Sequence, residues 1–195
     1  MINELEERLR MHWKQDYRRL YEIGEKVIRD WTPTDFKGRR MVDPDLYSFN
    51  IRINQTMIHD FGIWWDLTTR EGLVAGLVRK LQQNINSRLD NNYKRHPGNQ
   101  IDIHWVCEHF SREDSTKLIH PHCHGTLAVS SATKEKFKTL LVKGPDESFS
   151  LDLKLVGNAG GLIDSTYLRN IPSEGDLCYW MGYTMKQALN DQGDN

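Results

Sequence analysis

The chain has 195 residues, of which 38% are hydrophobic and 27% charged, enough for one globular domain with a core and too few for two. No apolar stretch approaches the ~20 residues that cross a bilayer. A net charge of −1 argues against a general nucleic-acid coat protein, which would be strongly basic, but leaves room for an enzyme that meets DNA along one local groove.

Residues 2–31 are expected to form an amphipathic helix, with Ile2, Leu5, Leu9, Trp13, Tyr17, Leu20, Val27 and Trp31 at helical spacing. The opening residues mix acids and bases without the apolar centre of a secretory signal. The turn-forming residues at 32–40 break the pattern. Residues 46–54 alternate as a strand, with Phe49, Ile51 and Ile53 on one face and Asn50, Arg52 and Asn54 on the other. A helix over 70–90 follows, carrying Leu73, Leu77, Leu81, Ile85 and Leu89 on one stripe. Strands are expected at 101–109 and 120–130, joined by a polar hairpin loop. Beyond them come a helix at 132–142, a strand at 149–156, a turn at Gly157–Gly161 and a last helix at 176–190. This order implies an α+β domain on a central antiparallel sheet with flanking helices. The three cysteines, Cys107, Cys123 and Cys178, have no framework spacing, so reduced thiols and a cytoplasmic location are expected.

His120, His122 and His124 recur at every second position, which on a strand puts three imidazoles on one face. Pro121 and Gly125 beside them are unusual in a central strand. The preceding strand carries His104, Val106 and Glu108 on one face. If the two strands pair in register, Glu108 adds a carboxylate to the imidazoles. Mixed imidazole and carboxylate donors suit Mn2+ or Mg2+ engaged with phosphate. Cys107 and Cys123 alternate to the opposite face, which disfavours a closed zinc site built from these thiols and the histidines.

On the last helix Tyr179, Tyr183 and Lys186 share a stripe, at spacings of four and three. A phenol is a poor nucleophile at neutral pH, its ordinary pKa being about 10. A lysine one turn away favours the phenolate and offsets phosphate charge. The simpler reading is that the tyrosines pack at the edge of the core.

Together these residues resemble the HUH endonucleases, named for a histidine–hydrophobic–histidine motif. The match is Pro121-His122-Cys123-His124-Gly125, followed by a tyrosine-x-x-lysine motif at Tyr183-Thr184-Met185-Lys186. Replication initiators, the Rep branch, place the tyrosine after the histidines, as here; conjugative relaxases place it before. The resemblance implies a palm related to ferredoxin and RNA-recognition folds. His122, His124 and Glu108 would bind the metal, Tyr183 would be the nucleophile and Lys186 its helper. Tyr179 would be either a second nucleophile or a packing residue. It further implies an endonuclease domain over 41–195, a helical appendage over 1–40, and site-specific nicking and rejoining of single-stranded or hairpin DNA. No glycine-lysine phosphate loop is present, so a separate host helicase is the implied partner.

Three other readings stand beside it. A transposase of the same superfamily shares the motif order. A metal-stabilised nucleic-acid-binding module needs the histidines but not the tyrosines. A metal-independent phosphoesterase with paired H-x-T/S motifs finds one at His124-Gly125-Thr126 and a loose one at His109-Phe110-Ser111, without the internal repeat such proteins have.

Overall fold

The computed structural model describes residues 18–29, 31–35, 37–56, 67–96, 98–110 and 118–190. The chain divides into two compact units, Pro33–Asn170 and Met1–Thr32 with Ile171–Asn195. Among the described residues no helix is long and apolar enough to cross a membrane.

The larger unit is α+β. Helix α1 (residues 18–29) belongs to the smaller unit; the larger begins with β1 (Asp45–Ile53) and α2 (Leu67–Leu89). Strands β2 (Ile101–Phe110) and β3 (Leu118–Val129) follow, then α3 (Lys134–Lys138), β4 (Leu141–Lys143), β5 (Phe149–Leu151), α4 (Leu153–Val156) and β6 (Ile163–Asn170). The six strands form one antiparallel sheet in the order β2-β3-β1-β6-β5-β4. β3 and β1 are therefore interior strands, paired on both sides.

Alternation sorts the two sheet faces. Tyr47, Phe49, Ile51 and Ile53 of β1 are buried, as are Cys123, Leu127 and Val129 of β3. Helix α2 covers this face with Val74, Leu77, Val78, Leu81, Ile85 and Leu89, a stripe recurring every three or four residues. It also closes the start of edge strand β2. Gln82 Nε2 donates to the Ile101 carbonyl at 3.1 Å, and Asn86 Oδ1 accepts from the Ile101 amide at 2.8 Å. Backbone groups that would otherwise lie open on an edge are thereby paired.

The C-terminal half of the sheet departs from the sequence reading. The helix expected over 132–142 is confined to Lys134–Lys138, and β4 occupies its end. The strand expected over 149–156 stops at Leu151 because Asp152 caps a helical turn, its carboxylate accepting from the Lys154 amide at 2.9 Å. Strand β6 is absent from the sequence reading. Its inward positions include a threonine, Thr166, whose hydroxyl accepts from the Leu151 amide, and a bulge opposite Arg52 and Ile53 breaks the alternation.

In the smaller unit, α5 (Glu174–Asn190) opens on a serine N-cap. Ser173 Oγ accepts from the Asp176 amide at 3.1 Å and donates to the Asp176 carboxylate at 2.5 Å. Helices α1 and α5 cross with their backbones touching. A Cβ on Gly24 would lie 1.6 Å from the Cys178 carbonyl oxygen, and one on Gly182 would lie 1.7 Å from that of Leu20. The part of the expected N-terminal helix at residues 2–17 lies outside the described residues.

Two expectations follow. Gly125 sits between β1 and β2, where a Cβ would lie 2.2 Å from the His104 carbonyl oxygen. Gly125→Ala must push β3 away from edge strand β2, and is expected to lower stability in urea unfolding by about 1–3 kcal/mol or more; an unchanged midpoint would contradict this packing. After α2, the Asp90 carboxylate accepts from Asn99 Nδ2, the Asn92 amide and His96 Nδ1, which hold its pKa down at about 2. A depressed acid stabilises the fold above its unfolded pKa of about 3.9, and that contribution drains away as pH falls toward the folded value. The melting-temperature gap between wild type and Asp90→Asn should stay constant down to about pH 5 and close below about pH 4.

Candidate metal centre

The face of the sheet opposite α2 carries the candidate chemistry. Register aligns Glu108 of β2 with His122 of β3, and His122 with Arg52 of β1. One step along, Val106, His124 and Asn50 share the next row, and His104, Thr126 and Ser48 the one after. The pairing of β1 with β3 ends at His122, and the β2–β3 register shifts beyond Glu108. Pro121 is tolerated here because the regular ladder stops beside it.

Within this patch Glu108, His122 and His124 converge. Their donor atoms lie within 4.8 Å of one another and can hold a metal ion. His122 Nε2 is 3.0 Å from Glu108 Oε2, and His124 Nε2 is 3.4 Å from the same oxygen. Two ligands each about 2.1 Å from one ion, at octahedral or tetrahedral angles, lie roughly 3.0–3.4 Å apart. The imidazoles stand edge to face, with ring centroids 4.8 Å apart. The triad is graded in exposure: the Glu108 side chain is 3% accessible, that of His124 12% and that of His122 31%. A site open on the His122 side suits an ion that keeps positions for water or a phosphate oxygen.

The donor chemistry fits a cation. His124 Nδ1 donates to Asn50 Oδ1, so the neutral ring carries its proton on Nδ1 and presents the Nε2 lone pair to the Glu108 carboxylate. A lone pair and a buried carboxylate oxygen repel unless a metal ion or a proton sits between them. Asn50 is a residue that sequence reasoning placed on the polar face of β1 without giving it a role. Its signal was the alternation of β1 itself, but the pairing of β1 with β3 had to be known before the side chain could be set beside His124.

Neighbouring groups stay out of the cluster. Burial pushes the His104 pKa down, so that ring is neutral at physiological pH, and it lies opposite Thr126 rather than in the triad. Cys107 and Cys123 face each other across β2 and β3 on the side packed against α2. The hydrogen bond to Cys107, aided by burial, pushes the Cys123 thiol well up. Both facts set the thiols apart from the triad, in line with the alternation argument. The side chain of His120 lies outside the described residues.

Tyr179 and Tyr183 lie on α5, both half-buried, and the Tyr183 ring stacks on Trp180 with centroids 5.5 Å apart and planes 18° from parallel. Lys186 falls within the same helix, its side chain outside the described residues. The structure therefore brings together three of the six residues singled out from sequence, and gives the two tyrosines a common helix.

The hydrogen bond from His124 leads to a measurable expectation. Asn50→Ala should weaken Mn2+ binding by about 10- to 100-fold in calorimetric titration, the usual cost of losing a partner that orients a ligating histidine. Asn50→Asp, which keeps the acceptor, should bind at least as well as wild type; equal affinities for all three proteins would remove Asn50 from the site.

Compared with known proteins, the chain gives no match to a family model, to a curated protein or to a solved structure.

Proposed function

We propose that this chain is a metal-dependent endonuclease that nicks and rejoins single-stranded or hairpin DNA through a tyrosine, as an initiator of rolling-circle replication. The observation that carries the reading is the buried Glu108 carboxylate of β2 shared by His122 and His124 of β3. The tyrosine-x-x-lysine pattern at Tyr183 and Lys186 supports it from sequence.

The residues divide the work as follows. His122, His124 and Glu108 would hold the ion, with Mn2+ or Mg2+ the best match to two imidazoles and a carboxylate beside open positions. When bound, the ion withdraws charge from the non-bridging phosphate oxygens and stabilises the departing 3′ oxygen. The Tyr183 phenolate oxygen attacks the phosphorus, and the bond from phosphorus to the 3′ oxygen breaks. The leaving strand takes up a proton as a 3′ hydroxyl, and the 5′ phosphate stays on the tyrosine. Lys186, one helical turn from Tyr183, favours the phenolate. Reversal by a 3′ hydroxyl rejoins the strand, because the phosphotyrosine ester retains the bond. Tyr179, four residues earlier, would be a second nucleophile or a packing residue. A host helicase would supply the unwinding, and the cytoplasm is the matching compartment.

The test is a covalent-adduct assay with labelled single-stranded and hairpin oligonucleotides and Mn2+, read on a denaturing gel. A shifted band is expected that disappears in EDTA and with Tyr183→Phe. It should fall at least about 100-fold with His122→Ala or His124→Ala, and change much less with Tyr179→Phe. Full adduct formation by both histidine variants would overturn the metal role. A reversed ranking of the tyrosines would move the nucleophile to Tyr179. Absence of any adduct, together with unfolding on chelation, would replace the nuclease by a metal-stabilised binding module.

A further inference from the structure

The rows that contain the triad continue across the sheet into β1 and β6. Arg52, the direct partner of His122, is followed on β6 by Ser165, and Asn50, the partner of His124, is followed by Tyr167. One row further, Ser48 is followed by Arg169. All these side chains share the face that carries the triad.

Four of them are exposed, Ser165 and three larger side chains. Arg52 and Arg169 are exposed, and Tyr167 is 43% accessible, a large aromatic surface left open on a sheet. Among the described residues neither guanidinium enters an ion pair. Two uncompensated cations flank an open ring, spread over four residue rises, or about 14 Å. Isolated exposed arginines are ordinary; a pair in line with a buried metal-ligand cluster, with an aromatic face between them, matches the two needs of a single strand. Guanidinium groups meet its phosphates, and a ring takes a base by stacking.

We infer that Arg52, Tyr167 and Arg169 form a binding track for single-stranded nucleic acid that leads to the metal triad. Arg52 would hold the phosphate nearest His122, Tyr167 would stack the neighbouring base, and Arg169 would hold a phosphate further out. The track rests on the endonuclease reading for where the scissile phosphate sits, but not for the binding itself. A duplex cannot use it in the same way, because its bases are stacked inward and offer no free face to Tyr167.

The experiment measures binding without chemistry. Full-length protein in EDTA is titrated against a fluorescein-labelled 15-residue oligothymidylate, followed by anisotropy at several salt concentrations. Wild type is expected to bind, and to bind the matching duplex more weakly. Arg52→Gln and Arg169→Gln should each lower the slope of log affinity against log salt by about 0.7, the value for one phosphate contact on a single strand. Lys143→Gln, which removes an exposed charge on β4, should leave the slope unchanged. Tyr167→Ala should weaken binding roughly 5- to 150-fold, and Tyr167→Phe should stay within about twofold of wild type. Thermal melts confirm that each variant is folded. Absence of binding by wild type, or affinities of the arginine and alanine variants equal to wild type, would overturn the track. So would a slope loss for Lys143→Gln as large as for the arginines, since binding would then be general charge attraction. Binding intact without any covalent adduct would sink the endonuclease reading and leave the track standing; adduct formation with indifferent track variants would do the reverse.

Discussion

A carboxylate buried to a few per cent accessibility is costly unless positive charge or hydrogen-bond donors surround it. In this chain Glu108 stands against two imidazoles delivered by the neighbouring strand, which together with it can hold a cation, and much of the larger unit can be understood from that contact. His122 and His124 need a shared face, which fixes the β3 register. Glu108 must stand opposite His122, which fixes the pairing of β2. Asn50 must reach His124 Nδ1, which fixes β1 on the other side. A slip of one residue in any of these pairings would turn an imidazole or the carboxylate toward α2 and the apolar core. Gly125 lies inside this arrangement because the backbones approach too closely for any side chain.

The parts of the fold legible in the sequence were those whose period was clean. Phe49, Ile51 and Ile53 alternate without interruption, and the α2 stripe from Leu73 to Leu89 repeats for more than four turns, so strand and helix were both readable. The alternation of histidines placed the imidazoles on one face, and the same rule put Cys107 and Cys123 on the other. Local capping defeated the period elsewhere. Leu151, Leu153 and Leu155 alternate as a strand would, yet Asp152 turns the chain into α4 between them. Strand β6 hides because Thr166 satisfies a core position by a hydrogen bond rather than by apolar bulk.

The site was legible to the same extent. Glu108 and the histidine pair could be joined from sequence because a hairpin connects their strands, and adjacent strands in sequence usually pair. Asn50, Arg52 and Tyr167 could not, since β1 reaches β3 and β6 only through long connections whose outcome no local pattern reveals. The residues nearest the triad thus come from three segments separated by whole elements. This is the ordinary way a sheet gathers a site, and it explains why short motifs point to such a site without outlining it.

The crossing of α1 on α5 has a consequence for how the protein is made. Its two contact points pair Gly24 with Cys178 and Leu20 with Gly182, so they join segments that precede and follow the larger unit in the sequence. The sheet that carries Glu108, His122 and His124 is complete by Asn170 and is free to fold as soon as that segment leaves the ribosome. The helix that carries Tyr179 and Tyr183 emerges after that segment, and finds its partner α1 only by closing a loop that contains the whole larger unit. A nascent chain that has reached only Asn170 would therefore present the histidine face before the segment that carries the two tyrosines exists.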